Sequence, residues 1–203
     1  MMPPDSAEFL MDIAAPLGGF YALAAAMNAL AAWRGMRTGG AARRRAAAWL
    51  ALVAVFAWFS VRACHGQPAE LGRSVKAAID AVLGPVTFFF GSLALLAAVF
   101  VGRRFFVRRW VAWSGFNAAV LFLGLSLADV HFAQVVLKPD NVPIVAMVFL
   151  LGFFTWLGAA QAVENDERFR RNLPPAEQDD AEKTLVWPDL VYIELIAMVA
   201  VSA

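Results

Sequence analysis

Two histidines are the residues of this sequence best suited to hold a redox cofactor. The chain contains only His65 and His131, and each follows a long apolar stretch. A b-type haem inside a helical bundle is usually held by histidines from facing helices, so the pair is a candidate haem b site. The simpler interpretation, which we favour, is that both imidazoles form hydrogen bonds at helix ends near a membrane surface.

The single cysteine lies directly before the first of these histidines. Cys64-His65 matches the second half of a C-x-x-C-H haem attachment site, but Val61 stands where the first cysteine would be. One cysteine also excludes a disulfide framework within the chain.

Four carboxylates lie within or beside apolar stretches, where charges are costly and often functional. We expect the aspartates to lie near the outer ends of spans and to pair with Arg62, Lys76 or Lys138. Glu194 lies about one turn inside the last apolar stretch. It is the first candidate for a proton-carrying or subunit-contact role, and Asp129 is the second. The four carboxylates are Asp12, Asp80, Asp129 and Glu194.

Composition assigns these residues to a membrane protein. The chain is 61% hydrophobic and 16% charged, whereas soluble domains carry about 25% charged residues. Its net charge is +1, and the basic residues are spread between apolar stretches instead of forming one basic face. This pattern argues against a nucleic-acid partner and favours a lipid bilayer.

The apolar stretches predict an all-α integral membrane protein with five complete transmembrane helices. Each stretch has about the 20 residues that a bilayer requires, and none alternates like a barrel strand. Pro16 and the Gly84-Pro85 pair should kink their helices. A sixth stretch, Leu190 to Ala203, is too short to cross and is expected to be a truncated helix. The five complete stretches are Phe9–Trp33, Ala46–Ala63, Ala77–Val101, Trp110–Leu127 and Pro143–Val163.

The distribution of Lys and Arg predicts the orientation. Thirteen basic residues fall on one side of the predicted spans and four on the other, so the N-terminus should lie outside. The larger group comprises Arg34, Arg37, Arg43, Arg44, Arg45, Arg103, Arg104, Arg108, Arg109, Arg168, Arg170, Arg171 and Lys183. The smaller group comprises Arg62, Arg73, Lys76 and Lys138.

This topology divides the chain into three parts. Residues 1–163 form the five-helix transmembrane region, residues 164–187 a cytoplasmic polar loop, and residues 188–203 the start of the sixth helix. The loop is too short to bury a core of its own. The sequence contains no phosphate-binding loop, metal motif or nucleophile constellation, so a complete active site is not assigned to this chain.

The segment from Lys138 to Ala203 resembles a known family. Its Trp187-Pro188-Asp189-Leu190-Val191-Tyr192 run is similar to the start of the subunit IV-like, C-terminal part of cytochrome b in bacterial quinol:cytochrome c oxidoreductases. In that family the run leads from the cytoplasmic side into a helix that runs outward. The family's Pro-Glu-Trp-Tyr quinol-site motif and its haem-ligating histidine pairs do not occur in these 203 residues.

The resemblance implies a multi-pass subunit of a respiratory quinol-oxidising complex in the bacterial inner membrane. Its implied partners are cytochrome b, a cytochrome c or Rieske protein, and quinone. Two alternatives stay open: a non-redox scaffold or assembly subunit of another membrane complex, and a small transporter. The transporter alternative has less support, because the sequence shows no clear internal repeat.

Overall fold

A computed structural model of the chain describes residues 6–82, 84–178 and 190–202. Throughout these residues all regular secondary structure is helical, which confirms the all-α prediction. The helices are α1 (Ser6–Thr38), α2 (Gly40–Cys64), α3 (Arg73–Val82), α4 (Pro85–Val101), α5 (Arg103–Phe106), α6 (Arg109–Leu127), α7 (Val130–Val136), α8 (Val142–Arg170) and α9 (Val191–Ser202), with a 3-10 turn at Ala176–Gln178.

Four of the described helices are long and apolar enough to cross a membrane: α1, α2, α6 and α8. They contain the first, second, fourth and fifth predicted spans. Helices α3 and α4 reach the required length only as a pair, and the two are bent by 86° at their junction. The structure is therefore compatible with a multi-pass membrane protein.

The third span departs from the predicted continuous helix over Ala77–Val101. Gly84 adopts an extended backbone, with φ −63° and ψ 161°, and Pro85 begins α4. Proline has no backbone N–H to donate and disfavours a helical residue before it, so one helix ends and another begins here. The Gly84-Pro85 pair produces a break much sharper than a packing kink.

Several helical segments lie where the sequence indicated only loops, among them α5, α7 and the polar end of α8. Helix α8 continues seven residues past Val163, because its polar extension of Glu, Asp and Arg is compatible with helix. It ends where Asn172 adopts φ 56° and the Leu173 amide donates to the Arg168 carbonyl over 3.0 Å, as in a Schellman motif. Residues 179–189, including the Trp187-Pro188-Asp189 run, lie outside the described residues.

Helices α1 and α2 form an antiparallel hairpin. Gly39 and Gly40 form the turn with φ of 77° and 54°, values that favour glycine. At the other end of the hairpin, the Ser60 hydroxyl donates to the Gly18 carbonyl over 2.8 Å. A Cβ added at Gly18 would collide with the Cys64 sulfur, so glycine permits this close approach.

Helix α6 packs along α1, also in the antiparallel sense. Tyr21 lies against Gly124. Asn28, seven residues after Tyr21, contacts Asn117, seven residues before Gly124. Phe56 of α2 is fully buried beside them. The main hydrophobic core therefore lies between α1, α2 and α6, and its buried members are Ile13, Leu17, Tyr21, Ala24, Ala25, Phe56, Ala63 and Val120.

Helices α4, α8 and α9 instead present most of their apolar side chains outward. Phe88, Phe89 and Phe90 of α4 are each more than 60% exposed, and every described side chain from Leu190 to Val201 is exposed. A bilayer solvates such surfaces without the cost that water would impose.

Candidate functional site

Asn28, Asn117 and Trp113 form a hydrogen-bonded polar cluster between α1 and α6. The Asn28 side-chain amide donates to the Ala24 carbonyl over 2.9 Å and to Asn117 Oδ1 over 2.5 Å. Trp113 Nε1 donates to Asn28 Oδ1 over 3.0 Å. Asn28 is 1% exposed and Asn117 4%. Each amide thus finds partners inside the protein, as buried polar groups require, and the cluster fixes α1 against α6.

Tyr21 adds a second buried polar group one layer away. Its ring is fully buried and lies 5.4 Å from the ring of Phe59 and 6.3 Å from that of Phe56, measured between centroids. Its hydroxyl forms no hydrogen bond with any described residue. The ring fills the space that Gly124 leaves open, so Tyr21 acts as a packing residue here.

An ion pair lies beyond the C-terminal end of α6. Lys76 Nζ lies 2.6 Å from Asp129 Oδ2 and 3.5 Å from Glu70 Oε2. Asp129 also caps α7, because its Oδ1 accepts hydrogen bonds from the amides of His131 and Phe132. The hydrogen bond from Lys76, and then that from the Phe132 amide, holds the pKa of Asp129 below its usual range. The predicted pairing of this aspartate is confirmed for Lys76.

A second set of ion pairs lies before the N-terminal end of α6. Arg103 donates to Asp166 Oδ2 through Nε at 3.1 Å and Nη2 at 2.7 Å, and Arg104 lies 4.0 Å from the same oxygen. Trp156 Nε1 donates to the Val107 carbonyl over 3.3 Å, so α8 is held to this loop. The 19 residues of α6 between the two sets rise about 28 Å, close to the thickness of a bilayer's hydrocarbon.

The structure places both histidines at the end of the bundle that carries Asp129. His65 follows the last residue of α2, and His131 lies in the first turn of α7. Both side chains are exposed, and neither ring forms a hydrogen bond with a described residue. The described part of the chain encloses neither ring. Haem ligation, which stays a prediction, would therefore need another subunit to complete the haem pocket.

The remaining predicted carboxylates are not brought together. Asp12, Asp80 and Glu194 are exposed, and none forms an ion pair with a described residue. Arg62 donates to the Gln67 carbonyl and lies over the Trp58 ring, and it forms no ion pair with a described aspartate. Glu194 is on an otherwise apolar helix, and its proton-carrying or subunit-contact role stays a prediction.

The sequence interpretation overlooked Asn28, Asn117 and Trp113. The signal was present, because two asparagines inside apolar spans are costly in lipid unless they find partners. Within the described part of the chain, no three His, Cys, Asp or Glu side chains form a group that could hold a metal ion. Comparisons of the chain with known protein families, curated proteins and solved structures find no match.

Proposed function

We propose that this chain is a membrane subunit of a respiratory quinol-oxidising complex of the cytochrome bc type. It would associate with cytochrome b and with a cytochrome c or Rieske protein in the bacterial inner membrane. The proposal rests on the resemblance of Trp187–Tyr192 to that family, combined with the surroundings of Glu194. Haem b at His65 and His131, completed by another subunit, stays the alternative to the interfacial role that we favour for these histidines.

The observation that supports a subunit role is the exposure of Glu194 on α9. Its neighbours Tyr192, Ile193, Leu195 and Ile196 are all exposed as well, so the carboxylate lies on a helix otherwise suited to lipid. An ionisable group in a membrane helix usually faces protein or a water-filled cavity, because lipid solvates it poorly. A neighbouring subunit would supply that environment.

The proposed topology has five crossings, with the N-terminus outside. Helices α2 and α6 both run antiparallel to α1, so they run parallel to each other. The chain between them must therefore return across the membrane. Helix α4, with 17 residues and a length of about 26 Å, is the apolar element suited to this return. The excess of basic residues supports a cytoplasmic location for the α1–α2 turn.

The test is to purify the complex from its native membrane through a tag on this chain. We expect a reduced-minus-oxidised spectrum with haem bands, and quinol-dependent reduction of cytochrome c. Glu194→Gln should lower the recovery of cytochrome b with the tagged chain, whereas Ser92→Ala, on exposed α4, should not. A stable native complex without haem or quinol oxidation would contradict the proposal.

A non-redox scaffold or assembly subunit is the second candidate. It is favoured by the Asn28–Asn117–Trp113 cluster, whose polar groups bind one another and so serve to hold helices together. The same purification separates the two candidates, because a scaffold would be recovered in a complex that lacks quinol oxidation.

A further inference from the structure

A groove opens where the C-terminal part of α1 meets the N-terminal parts of α2 and α6. It has a volume of about 520 Å³, within the range of small-ligand sites. Its charged lining consists of Arg34, Arg45 and Arg109, one from each helix. Its aromatic lining consists of Trp49, Trp110 and Trp113.

The antiparallel packing brings the three arginines to one level. Arg34 lies six residues beyond Asn28, and Arg109 lies four residues before Trp113, while Asn28 and Trp113 are hydrogen-bonded. Arg45 reaches the same level from α2, because Gly35 packs closely against Ala42 and Ala46 there. The three arginines therefore line one groove, although they come from three different helices.

These guanidinium groups have no acidic partner among the described residues. Arg45 Nε donates to the Ala41 carbonyl of its own helix, and the side chains of Arg34 and Arg109 form no ion pair with a described carboxylate. Arg103, by contrast, is paired with Asp166. Three clustered cations with free donors favour an anion that has several acceptor oxygens, such as a phosphate.

The other wall of the groove is apolar. Met27 and Leu30 line it on the side toward the membrane centre, and Trp113 is fixed there by its bond to Asn28. A soluble anion would contact only the arginines, whereas an amphiphile would contact both the arginines and the apolar wall. Tryptophan is also typical of the layer where lipid headgroups meet acyl chains.

We propose that this groove binds the headgroup of an anionic phospholipid, with the phosphate held by Arg34, Arg45 and Arg109 and an acyl chain lying along Met27 and Leu30. Basic pockets between transmembrane helices on the cytoplasmic side are suited to such lipids. The lipid would join α1, α2 and α6 at the end where their side chains leave an opening. This inference does not depend on the proposed redox function.

The test is native mass spectrometry of the purified, delipidated protein titrated with phosphatidylglycerol. Wild type should retain one tightly bound lipid. Replacing Arg34, Arg45 and Arg109 together by Gln should weaken binding by about a hundredfold, because each arginine near anionic lipid contributes roughly 1 kcal/mol. The matched control replaces the neighbouring Arg37, Arg44 and Arg108 by Gln. It removes the same charge from the same three regions and should bind as wild type does.

A second variant keeps all the charges. Ala31→Trp fills the groove, and it should abolish tight binding while thermal unfolding shows that the protein remains folded. Equal losses in both arginine triples, equal affinity for phosphatidylcholine, or unchanged binding by Ala31→Trp would each overturn the proposal.

Two further results would assign the groove to another occupant and so overturn the proposal. One is displacement of the lipid by millimolar inorganic phosphate, which would indicate a site for free phosphate. The other is binding of phosphatidylglycerol only after Asp179, Asp180 and Glu182 are neutralised, which would assign the groove to the chain's own acidic segment.

Discussion

At the scale of single residues, Gly124 determines how closely α1 and α6 approach each other. A Cβ at this position would lie 2.6 Å from the Tyr21 ring, and that fully buried ring also packs against Phe56 and Phe59. We expect Gly124→Ala to lower the free energy of unfolding by about 1–3 kcal/mol, as overpacked cores do. Reversible unfolding in mixed detergent micelles measures the free energy of unfolding of the variant and of wild type.

Gly115 provides the control on the same helix. A Cβ added there meets nothing within 4 Å, so Gly115→Ala should be neutral or raise stability by up to about 1 kcal/mol through helix propensity. If both variants behaved alike, the close packing of Tyr21 on Gly124 would be wrong.

Asn28 and Asn117 test the energetic value of the buried amide cluster. Either Asn→Ala variant removes the Asn28–Asn117 hydrogen bond between α1 and α6. The asparagine that remains keeps its bond to a backbone carbonyl of its own helix. We expect a coupling energy of about 0.6–1.7 kcal/mol in a double-mutant cycle, the range found for polar pairs between membrane helices. Ser114→Ala serves as a control, because this exposed hydroxyl bonds only to the Trp110 carbonyl of its own helix. Additive effects of the two asparagine variants would contradict the contact.

The ion pair of Asp129 with Lys76 predicts a pH-dependent stability. The pKa of Asp129 is lowered in the folded protein, so the pair contributes stability above about pH 4, the ordinary pKa of aspartate. That contribution is lost as the pH falls through the lowered pKa. Asp129→Asn keeps a residue that can cap α7 and should cost about 0.5–1 kcal/mol at pH 7.

The measurement is the unfolding free energy of wild type and variant between neutral and strongly acidic pH. The difference between the two proteins should disappear at the acidic end. Asp140→Asn is the control, since Asp140 is exposed and forms no ion pair with a described residue. A difference that grew on acidification would have the wrong sign for this pair.

At the scale of elements, Arg103 joins the loop before α6 to the polar end of α8. Arg103→Gln removes the double hydrogen bond to Asp166, so the backbone of the last turns of α8 should exchange its amide hydrogens faster. Arg104→Gln is the matched control, because Arg104 lies 4.0 Å from the same carboxylate and should matter less. Hydrogen exchange with mass spectrometry compares them; a larger effect from Arg104 would contradict the assignment.

Helices whose positions depend on length and hydropathy were predicted correctly from the sequence. Features that depend on tertiary packing were not. The cores of α1, α2, α6 and α8 were predicted, because apolar stretches of that length form helices in lipid. The break at Gly84 was foreseen as a kink, but its angle depends on what α3 contacts, and Lys76 of α3 bonds to a residue 53 positions away. Helix α7 was missed, although Asp129 before Val130 is a recognisable N-cap.

The contacts of the candidate site were likewise predicted only in part. Lys76 was one of three basic residues predicted as partners of the aspartates, because all of them were placed at one membrane surface. The contact between Asn28 and Asn117, which lie 89 residues apart in the chain, was not predicted. It depends on the register of α1 against α6, which periodicity alone does not determine.

At the scale of the whole molecule, the proposed orientation can be tested by labelling with an impermeant thiol reagent. In a Cys64→Ala background, Gln67→Cys should react in intact cells and Gln178→Cys only after the membrane is opened, because the basic residues favour the cytoplasmic side. Both glutamines are exposed, so access to the reagent and not burial decides the result. The opposite pattern would show that the orientation is inverted.

The bond between Asn28 and Asn117 also has a consequence for biosynthesis. At translation rates of about 5–20 residues per second, the 89 residues that separate the two amides take roughly 4 to 18 seconds to make. During that interval the α1–α2 hairpin is already available for insertion, while Asn28 has only the Ala24 carbonyl of its own helix as a partner. The hairpin is therefore complete well before Asn28 gains its partners on α6.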